Sequence, residues 1–155
     1  DNTVSSLPRV ETDSVTLQRI VISLIENATK YTQQNGFIRV KVKEKAEKVA
    51  ITISDNGCGI NSDDLPQIFE KYFRGRPFNP IDLGQDESES DKFPPVNETS
   101  GIGLGLYLVK SLVDQLKGEI MVKSPIEENF RGTCFTILIP IKINTLESTQ
   151  VSFQK

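Results

Sequence analysis

Beyond Asp13, apolar residues recur at the spacing of a single helical face: Leu17, Ile20, Val21, Leu24, Ile25 and Ala28. Such a stripe predicts an amphipathic helix that buries one side. Asp13 can cap it, because its carboxylate accepts hydrogen bonds from the unpaired N–H groups of the first turn. Gly36 closes the region, and the period then changes. Ile38, Val40 and Val42 alternate with Arg39, Lys41 and Lys43, and Val49, Ile51 and Ile53 repeat the alternation after a charged turn over 44–48. Period two predicts an antiparallel hairpin with one wet face.

Further along, a short helix is expected over 65–72. A second long helix is expected from about 103 to 117, with Val109, Leu112, Val113 and Leu116 inward and Gly118 as its stop. Residues 120–123 and 134–141 read as strands, and 9–11 as a short strand after Pro8. Elements in this order predict an α+β fold: a two-layer α/β sandwich with a mixed, mostly antiparallel sheet of about five strands and about three helices on one face. Residues 1–143 then form one domain. Within it, residues 75–99 are irregular and carry Pro77, Pro80, Pro94 and Pro95; segments of that kind in compact domains are functional or disordered. Residues 144–155 show no period and read as a flexible tail.

Composition narrows the chemistry. Net charge is −3 with no dense basic block, which argues against a nucleic-acid partner. Lys41, Lys43, Lys45 and Lys48 read as the solvent side of the hairpin. Cys58 and Cys134 have no metal-ligand spacing and read as reduced thiols of a cytoplasmic protein. The chain has no histidine, so Ser-His-Asp and Cys-His catalysis are excluded. No apolar run approaches a membrane span, although a longer parent could be membrane-anchored.

Three clusters suit a nucleotide. Ser23, Asn27, Lys30 and Tyr31 stand at i, i+4, i+7 and i+8, on one face beside the apolar stripe. The Asn27 amide oxygen can ligate a hard cation such as magnesium, Lys30 can meet phosphate, and Tyr31 offers a flat ring. A solvated rim beside a core is the competing reading. Asp55, Asn56, Gly57, Cys58, Gly59 and Ile60 follow a strand; the carboxylate can accept from an exocyclic amine while the glycines let backbone approach a ligand. An ordinary turn competes with that. Ser100, Gly101, Ile102, Gly103, Leu104, Gly105 and Leu106 open the second long helix, where free N–H groups suit phosphate. The run lacks the Gly-Lys-Ser/Thr of a Walker loop and the preceding strand of a dinucleotide fingerprint.

Together these segments resemble the boxes of sensor histidine kinases. Residues 24–32, centred on Asn27, are similar to the N box, and 55–60 to the first glycine box. Ile68, Phe69, Glu70, Lys71, Tyr72, Phe73 and Arg74 are similar to the F box, and 100–106 to the second glycine box. Arg131, Gly132, Thr133, Cys134 and Phe135 match the closing segment. The order is the family's, over roughly residues 9–141. The resemblance implies that Asn27 binds Mg2+, Asp55 binds the adenine amine of ATP, and Thr133 supports Asp55 through water. It also implies that Lys30 and Arg74 contact phosphates, Tyr31 lines the pocket, and Ile60, Tyr72 and Phe73 shape it or serve as core. Residues 75–99 would be an ATP lid hinged by Gly101, Gly103 and Gly105, poorly ordered without nucleotide. It carries six acidic residues and one lysine over 82–98.

One departure matters. ATP-hydrolysing relatives of this superfamily place a glutamate one turn before the magnesium asparagine; here that position is Ser23, which cannot act as a carboxylate base. Glu26 is rotated about 100° around the helix from Asn27. The expectation is a protein-histidine kinase catalytic domain that cannot phosphorylate itself. It would be monomeric and would serve a histidine on a separate dimerisation domain, with a response regulator downstream. A stand-alone ATPase or serine kinase and a non-catalytic nucleotide sensor are the alternatives.

Overall fold

The computed structural model describes residues 11–75, 102–126 and 132–141. Residues 9 and 10 of the expected strand at 9–11, the segment 75–99 beyond Gly75 and the tail at 144–155 fall outside these residues, as do Ser100, Gly101 and Arg131. The elements run α1 (Ser14–Tyr31), β1 (Ile38–Lys45), β2 (Lys48–Asp55), a 3₁₀ turn (Leu65–Gln67), α2 (Gly105–Gln115), β3 (Glu119–Lys123) and β4 (Thr133–Pro140). The sheet has the order β1-β2-β4-β3 with every neighbouring pair antiparallel. It is an α+β sandwich. Four strands and two α-helices are found among the described residues, against about five and three expected.

Asp13 caps α1 as its chemistry dictates, its Oδ1 accepting from the N–H groups of Val15 (3.0 Å) and Thr16 (3.3 Å). Ile20, Leu24 and Ala28 of α1 and Val109 and Val113 of α2 are buried against Ile51 and Ile53 of β2 and Phe135, Ile137 and Ile139 of β4. Burying one such aliphatic side chain stabilises by about 1.5–3 kcal/mol, so this seam supplies most of the cohesion. Phe69 meets Phe135 edge-to-face with ring centroids 6.4 Å apart.

Three local expectations change. The 65–72 segment is a 3₁₀ turn at Leu65–Gln67 followed by further turns, ending at Tyr72, whose φ of 65° no right-handed helix accommodates. The second helix starts at Gly105 because Gly103 sits at φ 74°. At its other end Lys117, not Gly118, takes the left-handed position (φ 55°). The N–H of Gly118 donates to Val113 O and that of Lys117 to Asp114 O, both at 2.9 Å, which is a Schellman closure.

The hairpin has the expected faces, but among the described residues β1 is an edge strand that the helices barely cover. Val40 and Val42 therefore stay 47% and 39% exposed, although they share a face with Ile53 and Ile51. The opposite sheet face carries Arg39, Lys41, Lys43 and Lys45 from β1, Thr52 and Ser54 from β2, Cys134 and Thr136 from β4, and Met121 and Lys123 from β3.

Candidate functional site

The end of the sandwich where α1 finishes, β2 ends and β4 begins opens into a cavity of about 400 Å³, a size typical of small-molecule sites. Asn27, Lys30 and Tyr31 line it from the last turns of α1, while Leu24 and Ala28 on the adjoining stripe are buried in the core. Helical periodicity thus turns the polar face of α1 into a cavity wall. Ser23 is half-buried outside the cavity, and Glu26 is exposed.

Asp55 forms the polar end. It is the last residue of β2, opposite Thr133, the first of β4, and both are buried. Asp55 Oδ1 accepts from the N–H groups of Gly57 (2.9 Å) and Thr133 (3.3 Å). Oδ2 has no hydrogen bond among the described residues, and the side chain lines the cavity. Burial, the largest influence, raises the carboxyl above its ordinary value of 3.8, opposed by the two backbone hydrogen bonds. Contact between Thr133 and Asp55 is direct through the backbone, in addition to any role of the hydroxyl.

The loop after Asp55 is held from three sides. The Cys58 N–H donates to Tyr31 O (3.2 Å), and the Gly132 N–H donates to Gly57 O (2.9 Å). A Cβ on Gly57 would lie 2.3 Å from Tyr31 O, so only glycine lets β2's loop abut the end of α1. Ser124, buried and remote in sequence, closes the third side: its Oγ accepts from the Ile60 N–H (2.8 Å) and donates to Gly132 O (2.9 Å). The Cys58 thiol faces the cavity and is pushed up to about 11 by burial and then by the Asp55 charge. Such a thiol is unreactive near neutral pH.

Opposite stand Phe73 and Arg74 and the start of α2, where Gly103, Leu104, Gly105 and Leu106 line the cavity along with Gly59 and Ile60. These two segments are stitched by the Tyr72 N–H donating to Gly103 O (3.0 Å). A Cβ on Gly103 would lie 2.7 Å from Phe73 O, whereas one on Gly105 would meet nothing within 4 Å. The N–H groups of the first turn of α2 have no intrahelical acceptor, a feature that suits an anion.

Most residues expected at a nucleotide site therefore converge. Gly57 serves the loop rather than the wall, and Tyr72 is 61% exposed, outside the cavity with Lys71 Nζ 5.0 Å from its ring centre. Cys58, Asn61, Asp64, Ile68, Gly75 and Ile102 line the cavity without having been singled out. Cys58, Ile68, Gly75 and Ile102 adjoin or lie within the recognised segments. Asn61 and the buried Asp64 fall between two of them, in turns whose closure no local pattern announces.

A family profile described as histidine kinase-, DNA gyrase B-, and HSP90-like ATPase matches residues 12–143. The chain is 31% identical over 133 residues to the sensor protein CiaH of Streptococcus pneumoniae, covering 86% of this chain and 26% of CiaH. It is 36% identical over 143 residues to the autoinducer 2 sensor kinase/phosphatase LuxQ of Vibrio harveyi, covering 87% of this chain and 14% of LuxQ. Among solved structures, a mycobacterial sensor histidine kinase, MprB, superposes with a TM-score of 0.67 at 26% identity, over 85% of this chain and 76% of that one. The chain thus spans about a quarter or less of the length of these two sensor proteins.

Proposed function

The chain belongs to the family of histidine kinase-, DNA gyrase B- and HSP90-like ATPases, and on that premise we propose that it binds Mg-ATP and presents the γ-phosphoryl group to a histidine on a separate dimerisation domain. The observation that carries this reading is Asp55. One of its oxygens is committed to two backbone N–H groups, and the other is open to the cavity. An open acceptor fixed at the inner end of an apolar slot suits the exocyclic amine of adenine. Ile60, Leu104 and Leu106 supply the walls of the slot.

Phosphates would extend toward Lys30, Arg74 and the N-terminal turn of α2, where positive charge and unpaired N–H groups coincide. Asn27 would hold Mg2+. Among the described residues no cluster of three or more acidic, cysteine or histidine side chains could cage a metal. A single amide oxygen is nonetheless enough for Mg2+, which keeps water and phosphate oxygens as its other ligands. The ion would neutralise phosphate charge. The rest is positioning: Lys30 and Arg74 offset charge on the phosphoryl oxygens, and the slot fixes the nucleotide in line with an incoming acceptor.

The acceptor must come from outside this sequence, which has no histidine. At the transfer a P–N bond to the acceptor imidazole forms as the bond to the β-phosphate oxygen breaks and ADP departs. Ser23, outside the cavity, offers no carboxylate to activate water in place of that acceptor. The domain of residues 1–143 with a lid at 75–99, a downstream response regulator and a cytoplasmic location complete the proposal. Among the described residues, no helix is long and apolar enough to cross a membrane.

Titration with ADP and ATP, with and without magnesium, tests the pocket. Asp55→Ala should reduce adenine-nucleotide affinity by at least about a hundredfold, as expected when a site's buried acceptor is lost. Asn27→Ala should remove the magnesium-dependent increment and leave the remainder. Wild-type ADP affinity in Asp55→Ala would overturn the assignment.

A further inference from the structure

We propose that the outer face of the sheet, opposite the helices and across the sheet from the cavity, docks an acidic α-helix of a partner protein. The chain is acidic, at net −3, yet this face is basic. Arg39, Lys41, Lys43 and Lys45 project from it at alternate positions of β1, all exposed and with no ion pair recorded among the described residues. The chief acid of the face, Glu119, is neutralised by Lys48 at 2.5 Å. Holding four like charges in one row is unfavourable in isolation, and a complementary anionic surface relieves it.

Shape narrows the partner. The basic row and the Met121–Lys123 margin lie on β1 and β3, the two outer strands of the order β1-β2-β4-β3. Three strand spacings separate them, about 14 Å. Between them the floor is low, made of side chains such as Thr52 and Thr136, whose Oγ1 atoms lie 3.4 Å apart. A helix about 10–12 Å across fits that trough, and the row from Arg39 to Lys45, about 20 Å long, matches roughly 13 helical residues. The face fits other polyanions less well. Its one aromatic neighbour, Phe37 at the end of the row, is already covered by the Arg39 guanidinium 5.1 Å from its ring centre, and a single ring gives no platform for successive nucleic-acid bases. Met121 and, at the end of the row, Phe37 are the large apolar side chains exposed there among the described residues, too few to anchor in a lipid interface. Overall negative charge further disfavours long polyanions, which sense the whole molecule.

The test uses the full 155-residue chain, isotopically labelled, and a synthetic helical peptide of about 18 residues with glutamates along one side. A second peptide carries the same charges but is broken by central prolines. The helical peptide should shift the amide resonances of residues 39–45, Thr52, Thr136 and Met121 and leave those of Lys30 and Leu106, which line the cavity from the helices, unmoved. Its affinity should fall at least about tenfold in Lys41→Glu/Lys43→Glu and weaken with added salt, while nucleotide affinity is unchanged. The proposal is overturned by no shifts at millimolar peptide or by shifts lying off this face. It is equally overturned if the proline-broken peptide, a single-stranded oligonucleotide or phosphatidylserine vesicles bind more tightly than the helix.

Discussion

Gly103 and Gly105 stand two residues apart in one glycine run, yet they do different work. Gly103 needs both its positive φ and the absence of a Cβ, so Gly103→Ala should destabilise the fold by about 1–3 kcal/mol. Gly105 is the first residue of α2 with open space where its Cβ would sit. Gly105→Ala should leave stability unchanged or raise it by up to about 1 kcal/mol, while lowering nucleotide affinity, because the added methyl enters the cavity at the phosphate end. Chemical denaturation paired with nucleotide titration separates the two, and equal stability losses would refute the distinction. Asp55 carries a second prediction at this scale. Its folded-state pKa is raised, so its contribution to stability is fully present below 3.8 and is lost as pH rises through the raised value. Asp55→Asn keeps an oxygen for Gly57 and Thr133 but presents an amide donor to the cavity. It should therefore gain stability relative to wild type as pH climbs above 3.8, and lose adenine-nucleotide binding throughout. A stability difference independent of pH would contradict that account.

At the scale of elements, helix ends show where sequence reading reaches its limit. Gly118 reads as the stop of α2, yet Lys117 occupies the left-handed position. Because a non-glycine residue is strained there, Lys117→Gly should raise stability by about 1 kcal/mol, read as a shift in the denaturant midpoint. A loss of stability would mean that the Lys117 side chain matters more than its backbone. The helices and the hairpin were legible because each buries one face, and burial imposes a period of 3.6 or 2 on the residues. The segment after Pro66 was not, since Ile68, Phe69 and Phe73 reach the core from successive turns that mimic helical spacing. Nor was Ser124, whose clamp on Ile60 spans 64 residues of sequence. Asn27, Lys30, Asp55 and the glycines were readable as a site because their chemistry lies within short runs. Asp64 and Asn61 enter the cavity only through tertiary closure.

At the scale of the molecule, one sandwich separates three surfaces. The core seam between the helices and the inner sheet face supplies stability. One end of that seam opens as the cavity, and the outer sheet face carries the exposed basic row of β1. Stability and chemistry therefore share α1, β2 and β4, whose inward residues are core along most of their length and cavity wall at one end. The histidine-kinase-type domain so built spans 26% of CiaH and 14% of LuxQ, and the reaction proposed for it needs an acceptor histidine that this sequence does not contain. The most direct test mixes this chain with a histidine-bearing dimerisation domain of a sensor kinase and γ-labelled Mg-ATP, and follows both protein-bound label and free phosphate. An acid-labile, base-stable phosphohistidine is expected on the acceptor domain, absent with Asp55→Ala, together with little phosphate release without acceptor. Steady phosphate release by the chain alone, with no label reaching the histidine, would contradict it.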